Sequence, residues 1–273
     1  MEQSIKQKIE AIGTPLKEWD IKIFRGILTG YNDAFIIDGK VRKQLIKQDE
    51  KSAEIIRPIL RGRDVKKYAY DYADKWIIAT HNGIKGRGIS RIDINQYPAI
   101  KEYLDQFYDK LINRIDKGDT PYNLRNCVYM DDFSKQKIVW GEISDRTKFA
   151  LDENGDYYCE ATTFLMTGSH LKYLLCFLNS KFSEYYFSKI GTTTGVGTVR
   201  WKKFKIETLP VPVVTPKQEQ RFEDLLEKIL LSIKSNSNTK FEEQEIDIEI
   251  YNMLDLSDEE ISFINNFRLD IEK

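Results

Sequence analysis

Hydrophobic residues recur along the chain at two different spacings, which together predict a mixture of helices and strands. Helical spacing is found at residues 4–12, 41–48, 97–115 and 169–188, and residues 52–60 also predict a short helix, which ends near Pro58. Runs of β-branched and aromatic residues predict strands at residues 21–27, 34–37, 75–80, 137–143 and 156–166. Asn154 and Gly155 form the strongest hairpin signal. The predicted fold class is α/β in the broad sense that includes α+β, with a mixed sheet packed by helices.

The pattern becomes purely helical after Pro212. Thr215, Pro216 and Gln218 supply an N-cap, a first-turn proline and a capping-box glutamine for a helix at residues 217–233. A polar linker at residues 235–239 precedes two acidic helices at residues 241–254 and 257–267. We therefore expect a domain at residues 1–214 and a helical C-terminal part at residues 215–273. The acidic helices are expected to pack on the body of the protein or on a partner, away from any phosphates.

Composition places the chain among globular proteins. With 273 residues, of which 41% are hydrophobic, it is long enough to bury a substantial core. No apolar run approaches the roughly 18 residues that a membrane span needs, and the charged N-terminus differs from a signal peptide. Cys127, Cys159 and Cys176 are widely separated, which indicates reduced thiols rather than a zinc site or disulfides. We expect a cytoplasmic protein with no membrane partner.

The net charge of −1 conceals a segregation of charge along the chain. Residues 239–273 contain 3 basic and 11 acidic residues, which leaves 39 basic and 32 acidic residues in the rest. Residues 51–91 contain 10 basic and 4 acidic residues, and residues 181–205 contain 6 and 1. A basic body with an acidic tail indicates a nucleic-acid site that is kept apart from a repelling appendage.

One basic stretch follows directly on a loop of small residues. Residues 191–212 read GTTTGVGTVRWKKFKIETLPVP. Its glycines permit close backbone approach to a ligand, and consecutive N–H groups in such loops bind anions. Four basic residues then surround Trp201 and Phe204 at the predicted start of a strand, a combination that suits a phosphate backbone. The alternative is a solvated surface loop without a ligand.

Catalytic patterns compete with this interpretation. Glu54, Asp64 and Lys66 loosely fit the two acids and the lysine of a metal-dependent nuclease, although such a pattern arises by chance in a highly charged chain. Residues 82–88 follow a strand as a dinucleotide-binding loop would, but their glycine spacing is wrong. His81 and His170 are the only histidines, too few for a histidine-based metal site.

The order of short motifs resembles the C-terminal specificity domain of TaqI-type adenine-N6 methyltransferases and type IIG restriction-modification enzymes. This domain is related to the target-recognition domains of type I specificity subunits. The matching pieces are residues 26–35 (GILTGYNDAF), 56–65 (IRPILRGRDV), 76–78 (WII), 97–98 (YP), 122–125 (YNLR), 137–140 (KIVW), 173–180 (YLLCFLNS) and 209–212 (LPVP), followed by an acidic segment at residues 246–260. The motifs are short, and their shared order carries the likeness.

The resemblance implies sequence-specific recognition of double-stranded DNA by a chain that is not itself catalytic. It implies a methyltransferase domain across the DNA, which receives the flipped target adenine. That domain, with or without a nuclease, would belong to the same full-length protein or to a separate subunit. S-adenosylmethionine and Mg²⁺ would bind in that catalytic part. This sequence itself contains neither an Asn-Pro-Pro-Tyr motif for the amino group of adenine nor a Gly-rich S-adenosylmethionine motif. We therefore expect no cofactor in this chain, which looks like an isolated specificity half.

Three clusters are the predicted DNA surface, in which phosphate contacts fix the register and a few side chains read base edges. The first contains Arg57, Arg61, Arg63, Lys66 and Lys67; the second contains Asn82, Lys85 and Arg87; the third contains Thr192, Thr193, Thr194, Arg200, Lys202, Lys203 and Lys205. The alternatives are a complete small metal-dependent nuclease and a type I-like specificity subunit that acts as a protein-interaction and DNA-binding module.

Overall fold

The computed structural model of the chain describes residues 1–193 and 198–267, with Thr193 described by its backbone alone. The helices are α1 (Glu2–Ile12), α2 (Asn32–Phe35), α3 (Gly39–Gln48), α4 (Pro98–Asp105), α5 (Tyr108–Asn113), α6 (Leu171–Leu178), α7 (Lys181–Ile190), α8 (Lys203–Ile206), α9 (Pro216–Lys234), α10 (Lys240–Met253) and α11 (Asp258–Asn266). The strands are β1 (Gly13–Pro15), β2 (Ile21–Arg25), β3 (Ile36–Asp38), β4 (Ile56–Leu60), β5 (Lys75–Ile78), β6 (Lys137–Gly141), β7 (Ile143–Ser144), β8 (Phe149–Asp152), β9 (Tyr158–Cys159), β10 (Thr163–Gly168), β11 (Thr192–Thr193), β12 (Val199–Arg200) and β13 (Pro210–Pro212). This mixed content confirms the predicted fold class.

A central antiparallel sheet separates two hydrophobic cores. Its strand order is β2-β10-β6-β8. Successive side chains of a strand point to opposite faces. Ile138 and Trp140 of β6 accordingly lie in one core, whereas Val139 between them lies in the other. In β10, Phe164 lies in the same core as Ile138 and Trp140, and Leu165 lies in the same core as Val139. The sheet is therefore buried on both faces.

The core on one face is built from residues 27–165. A second sheet has the order β3-β5-β4-β9, in which β9 runs parallel to β4 and the other neighbours are antiparallel. Ile59 and Ile77 of this sheet pack with Leu45 of α3 and Leu104 of α4. This second sheet therefore lies beside the central one and shares a core with it.

The core on the other face includes both ends of the chain. Ile5 of α1, Phe222 of α9 and Ile250 of α10 lie in one buried cluster with all the central residues of α6. Glu260 of α11 accepts hydrogen bonds of 2.6 Å from Ser4 Oγ and from Lys8 Nζ. The acidic helices therefore pack on the body, as their charge led us to expect. The division of the chain at residue 214 stays a prediction.

Residues 52–60 do not form the predicted helix. A 3₁₀ turn at Glu50–Glu54 leads into β4, where Pro58 lies opposite Trp76 of β5. Ile56, Ile59 and Leu60 are all buried in this strand. Burial against the second sheet outweighs a weak local helical preference, which is a common result of tertiary packing. Residues 34–37, predicted as a strand, are divided between α2 and β3.

Each of the two long helices predicted before Gly191 is broken in two. The first is interrupted between α4 and α5 and ends at Asn113, so Ile115 is 96% exposed instead of lying on an apolar face. The second is interrupted at Ser180, whose Oγ accepts the Ser183 N–H at 3.1 Å and caps α7. Serine competes for backbone donors in this way, and it therefore favours helix starts over helix interiors.

The turn at Asn154–Gly155 forms, but it does not make a hairpin. Gly155 has a φ of 72°, while β8 pairs with β6 and the following β9 pairs with β4. The Asp152 carboxylate accepts the N–H groups of Asp156 and Tyr157, each at 3.0 Å. Lys137 Nζ, also buried, lies 2.5 Å from this carboxylate. The buried ion pair thus fixes a turn that directs the chain from one sheet to the other.

We expect Ile250→Ala to lower the free energy of unfolding by about 2–5 kcal/mol, because the truncation leaves a cavity in the core that α10 shares with α1 and α9. Ile248→Ala on the same helix is the matched control, since Ile248 is 50% exposed and such changes usually stay within about 0.5 kcal/mol. Denaturant titration of both variants measures the difference. Equal small effects would show that α10 contributes little to the core.

Candidate nucleic-acid interface

The ends of the two larger sheets meet at one place on the surface. β2 ends at Arg25, β6 ends at Gly141 and β10 begins at Thr163, all at the same end of the central sheet. β4 and β9 end beside them, where Glu160 N donates to Leu60 O at 2.9 Å. The loops that follow these strands enclose a cleft of about 460 Å³, whose lining includes Asn32, Arg61, Arg63, Glu142, Glu160 and Arg200.

The loops around this cleft touch one another through glycine backbones. A Cβ atom on Gly62 would lie 3.3 Å from Gly141 Cα, and one on Gly26 would lie 2.1 Å from Glu160 O. Gly62 N also donates to Thr162 Oγ1 at 3.1 Å. A Cβ atom has no room at Gly26, and at Gly62 it would force its neighbours to shift by a few tenths of an ångström. The walls of the cleft are therefore held in fixed positions relative to one another.

Arg61 and Arg63 extend from the loop after β4 and differ in their freedom. The Arg61 guanidinium forms two hydrogen bonds with the buried Asp64 carboxylate, at 3.0 and 2.7 Å, and this pairing raises the pKa of Arg61. Arg63 is exposed, and its guanidinium has no partner among residues 1–193 and 198–267. One arginine of this pair is thus fixed in direction, and the other can reach towards a ligand.

Two more arginines share a single carboxylate on the opposite wall. Arg200 Nη1 lies 3.1 Å from Glu142 Oε1, and Arg25 Nη2 lies 3.5 Å from Glu142 Oε2. Arg25 Nε also donates to Ala161 O at 2.8 Å. Both side chains are about half exposed. Glu142 thus orients two guanidinium groups towards solvent, where planar donors suit either base edges or phosphates.

The second predicted cluster forms a projecting turn at residues 83–91. Ile84 and Ile89 exchange backbone hydrogen bonds of 2.8 and 3.2 Å, so the residues between them form the tip. Lys85 and Arg87 are exposed there, and a Cβ atom on Gly86 would meet nothing within 4 Å. Arg87 Nη1 lies 2.6 Å from Asp131 Oδ2. Since both partners are more than half exposed, this ion pair is weak and exchangeable.

Asn82, predicted as a DNA contact, is buried at the base of this turn. Its Nδ2 donates to Asn126 Oδ1 at 2.6 Å and to Asp119 Oδ1 at 3.1 Å, and its Oδ1 accepts the Asp119 N–H at 2.8 Å. Gly83 N donates to Nδ1 of His81, and burial lowers the pKa of that histidine. The amide of Asn82 is therefore committed to holding the neighbouring loop.

The third cluster is divided between a small sheet and a helical turn. Arg200 pairs with Thr192 of β11 and with Ile143 of β7 in a three-stranded sheet, which brings β12 to the cleft. Lys203 and Lys205 lie on α8, and Lys202 is its N-cap, so the predicted strand start is wrong. Lys203 pairs with Glu207 at 3.5 Å. Thr194 lies outside the described residues.

Trp201 packs inside the protein, although the sequence suggested an aromatic partner for the lysines. Its ring is stacked on Phe187 with 4.0 Å between ring centroids, and its carbonyl accepts the Trp140 Nε1–H at 2.9 Å. Phe204 is the exposed aromatic of this stretch. Trp201, although it is next to lysines in the sequence, is thus part of the hydrophobic core. Its burial anchors the short α8 beside the cleft.

The remaining predicted residues lie away from the cleft lining. Lys67 Nζ pairs with Glu243 of α10, so this lysine binds the acidic tail. Lys66 Nζ lies 3.7 Å from Asp71, and Arg57 donates to the carbonyls of Ala53 and Ile56 at 3.0 Å.

Sequence reasoning missed Arg25, Asn32 and Glu142. Arg25 ends β2 and Glu142 directly follows β6, whereas Asn32 begins α2. Their role depends on which strand ends come together. Glu54, considered for nuclease chemistry, accepts the Tyr97 hydroxyl at 3.0 Å. In the part of the chain that the structure describes, no group of three or more His, Cys, Asp or Glu residues is arranged to hold a metal ion. The same part contains no helix that is long and apolar enough to cross a membrane.

Residues 57–211, more than half of the chain, match the family model of the TaqI-like C-terminal specificity domain. The chain belongs to this family. The matched range includes every strand end around the cleft except that of β2. No curated protein matches this specificity domain by sequence.

Two solved structures share the fold of this specificity domain. The type IIL restriction-modification enzyme MmeI, solved in complex with DNA, matches 92% of the chain with a TM-score of 0.70 and 13% sequence identity. The type IIG restriction endonuclease BpuSI matches 93% with a TM-score of 0.55 and 15% identity. The matches cover 35% of MmeI and 32% of BpuSI, so this chain spans about a third of each enzyme.

We expect Asn82→Ala to destabilise the specificity domain by about 1–3 kcal/mol, because it removes the buried amide that bonds to Asn126 and Asp119. Hydrogen exchange at the Asp119 backbone amide should be faster in this variant than in the unmodified chain. Asn95→Ala is the control, since the Asn95 side chain is exposed and bonds only to Asp93 among the described residues. Unchanged stability together with altered DNA binding would instead make Asn82 a contact residue.

Proposed function

We propose that this chain recognises a specific sequence of double-stranded DNA as the specificity part of a type IIG restriction-modification enzyme or an adenine-N6 methyltransferase. The observation that supports this most directly is the convergence of Arg61, Arg63 and Arg200 on one cleft, with Arg25 paired to Glu142 in its lining. This occurs in a chain of the specificity-domain family whose fold is shared with an enzyme solved on DNA.

The charges in the cleft favour base reading over general phosphate binding. Asp64 and Glu142 between them partner three of the four arginines, so the local net charge is small. Phosphate binding depends on uncompensated positive charge. A guanidinium held in a fixed direction instead suits the O6 and N7 acceptors of guanine.

The lysines in and before α8 suit phosphate contacts. Lys202, Lys203 and Lys205 carry compact, strongly hydrated charges on long side chains, and point charges of this kind bind phosphate without reading sequence. The projecting turn combines phosphate contact with base reading, because Lys85 and Arg87 lie at one exposed tip. Exposed Arg87 can exchange Asp131 for a base edge at modest cost.

We further propose that the chain performs no bond-making step. A methyltransferase domain, in the same protein or in another subunit, would bind S-adenosylmethionine and receive the target base, and any nuclease would bind Mg²⁺ elsewhere. The coverage of only a third of MmeI and BpuSI supports this division, since most of each enzyme lies outside the shared fold.

Selection of binding sites from randomised duplexes tests the proposal. Three arms contain the purified chain alone, with Mg²⁺, or with S-adenosylmethionine. We expect one sequence to be enriched in every arm, with no strand cleavage and no methyl transfer. Failure to enrich any sequence would contradict the recognition role, whereas cleavage in the Mg²⁺ arm would support a complete nuclease.

Arg87→Ala and Lys203→Ala should weaken binding in different ways. We expect Arg87→Ala to cost about 1–3 kcal/mol on the selected site and to relax the preference at one base position. Lys203→Ala should weaken all duplexes alike and lower the slope of log K against log salt concentration by about one. Lys228→Ala, an exposed charge on α9 that lines no part of the cleft, is the control. Titrations of each variant against single-substitution duplexes in a salt series measure both effects, and the opposite pattern would reverse the two roles.

A further inference from the structure

A buried arginine lies between the loops that carry the two predicted reading elements. Arg114 follows α5 and is 6% exposed. Its Nη1 donates to the carbonyl of Thr29, and its Nη2 donates to the carbonyls of Pro121 at 3.0 Å and Asn123. The guanidinium also lies over the Phe35 ring, 4.4 Å from its centroid. One planar group thus connects two segments of chain.

The first segment belongs to the cleft. Thr29 is fully buried, and its Oγ1 donates to Asn32 Oδ1 at 2.6 Å. Asn32 Nδ2 in turn lies 3.3 Å from Glu160 Oε1. Both Asn32 and Glu160 line the cleft. A continuous chain of contacts therefore leads from the Arg114 guanidinium to the cleft wall.

The second segment supports the projecting turn. Asn123 is 1% exposed, and its Nδ2 donates to Ile92 O at 2.9 Å and to His81 O at 3.3 Å. His81 and Ile92 are the two residues from which the turn at residues 83–91 extends, and Ile92 N donates back to His81 O at 3.0 Å. Asn123 thus fixes the base of the turn, and its own carbonyl is fixed by Arg114.

Stability alone does not account for an arginine at this position. The described acceptors of its hydrogen bonds are all backbone carbonyls, and its buried Nε has no partner among the described residues. Burial lowers the pKa of Arg114 to about 10, so the group is still charged at neutral pH. Burying a charge without a bonded carboxylate is unfavourable, and residues of this kind are kept in some proteins because they specify one geometry. Arginine suits this role because its planar fork donates in two fixed directions.

We propose that Arg114 is a positioning residue for DNA specificity, which sets the spacing between the cleft and the projecting turn without touching DNA. This inference rests on the proposed function. Base readers on two elements recognise one sequence together only if their separation matches the separation of the bases. A change at Arg114 therefore alters which bases are read jointly, while the phosphate contacts stay in place.

Binding measurements on Arg114→Lys and Arg114→Met test this role. Lysine keeps the positive charge but lacks the planar guanidinium with its two directions of donation. Methionine keeps an unbranched side chain of similar length but lacks both the charge and the guanidinium. We expect the ratio of affinities for selected and random duplexes to fall at least about tenfold in both variants, the effect of one or two lost base contacts. The affinity for random duplexes and its salt slope should stay within about twofold of the unmodified chain, because no phosphate contact is removed.

Arg221→Met is the matched control. Arg221 also joins two elements, through Glu245 at 2.9 Å and Glu249 at 3.1 Å, but it lines no part of the cleft. Its loss should leave the affinity ratio unchanged. An Arg114 effect that scales only with the unfolded fraction would show a purely structural role and overturn the inference. If the unmodified chain itself selects no sequence, the proposed function fails, and this result is distinct from the loss of selectivity in the variants alone.

A distance measurement tests, without DNA, whether Arg114 sets the spacing between the cleft and the projecting turn. Nitroxide labels at Asp33→Cys and Lys85→Cys, in a chain with Cys127→Ser, report the separation of the two elements. We expect the distance distribution to widen in Arg114→Lys and to stay unchanged in Arg221→Met. An unchanged distribution in Arg114→Lys would overturn the inference. If neither Arg114 variant folds, Asn123→Ser, which removes the bonds to the base of the turn, carries the same expectations.

Discussion

The two larger sheets end side by side, and their backbones are in close contact there. This contact is the constraint on which the rest of the structure depends. Gly62 and Gly141 bring the loop after β4 against the end of β6, and Gly26 lies against Glu160. Because no side chain separates these segments, the arginines next to them, Arg25, Arg61 and Arg63, emerge within one small area. The central sheet can hold this position because both of its faces are buried, which leaves its strands little freedom to slide. The chemistry at the surface is thus a consequence of packing between two cores.

The carboxylates in the cleft are as informative as the arginines. A surface built for general attraction to DNA would leave its positive charges uncompensated. Here Glu142 and Asp64 neutralise and orient most of them, whereas Lys202 and Lys205, in and before α8, have no ion pair among the described residues. This separation of oriented from mobile cations matches the different demands of base edges and phosphates. It also explains why total charge, close to zero for the chain, is a poor guide to its function.

Features that depend on neighbouring residues could be predicted from the sequence, whereas those that depend on distant strands could not. The capping boxes at Thr215 and Ser257 are local, and both are present in the structure. The ordered motifs likewise led to the correct family. Burial of Trp201 and Asn82 depends on partners far along the chain, and the strand at β4 needs the second sheet to form. Arg25 shows no local signal because its partner Glu142 is brought to it only by β10.

The position of the C-terminal helices has a consequence for any exchange of such a domain between proteins. Because α9 and α10 cover α6 and pack with α1, the hydrophobic core is divided between the two ends of the sequence. A recombination event that transferred the loops around the cleft together with the strands, but left these helices behind, would join two incompatible halves of one core. Crossovers that preserve folding must therefore either carry both ends of the domain together or fall within the surface loops. Under the proposed function, new target sequences would then be acquired more easily by replacing loops such as the projecting turn than by shuffling whole segments.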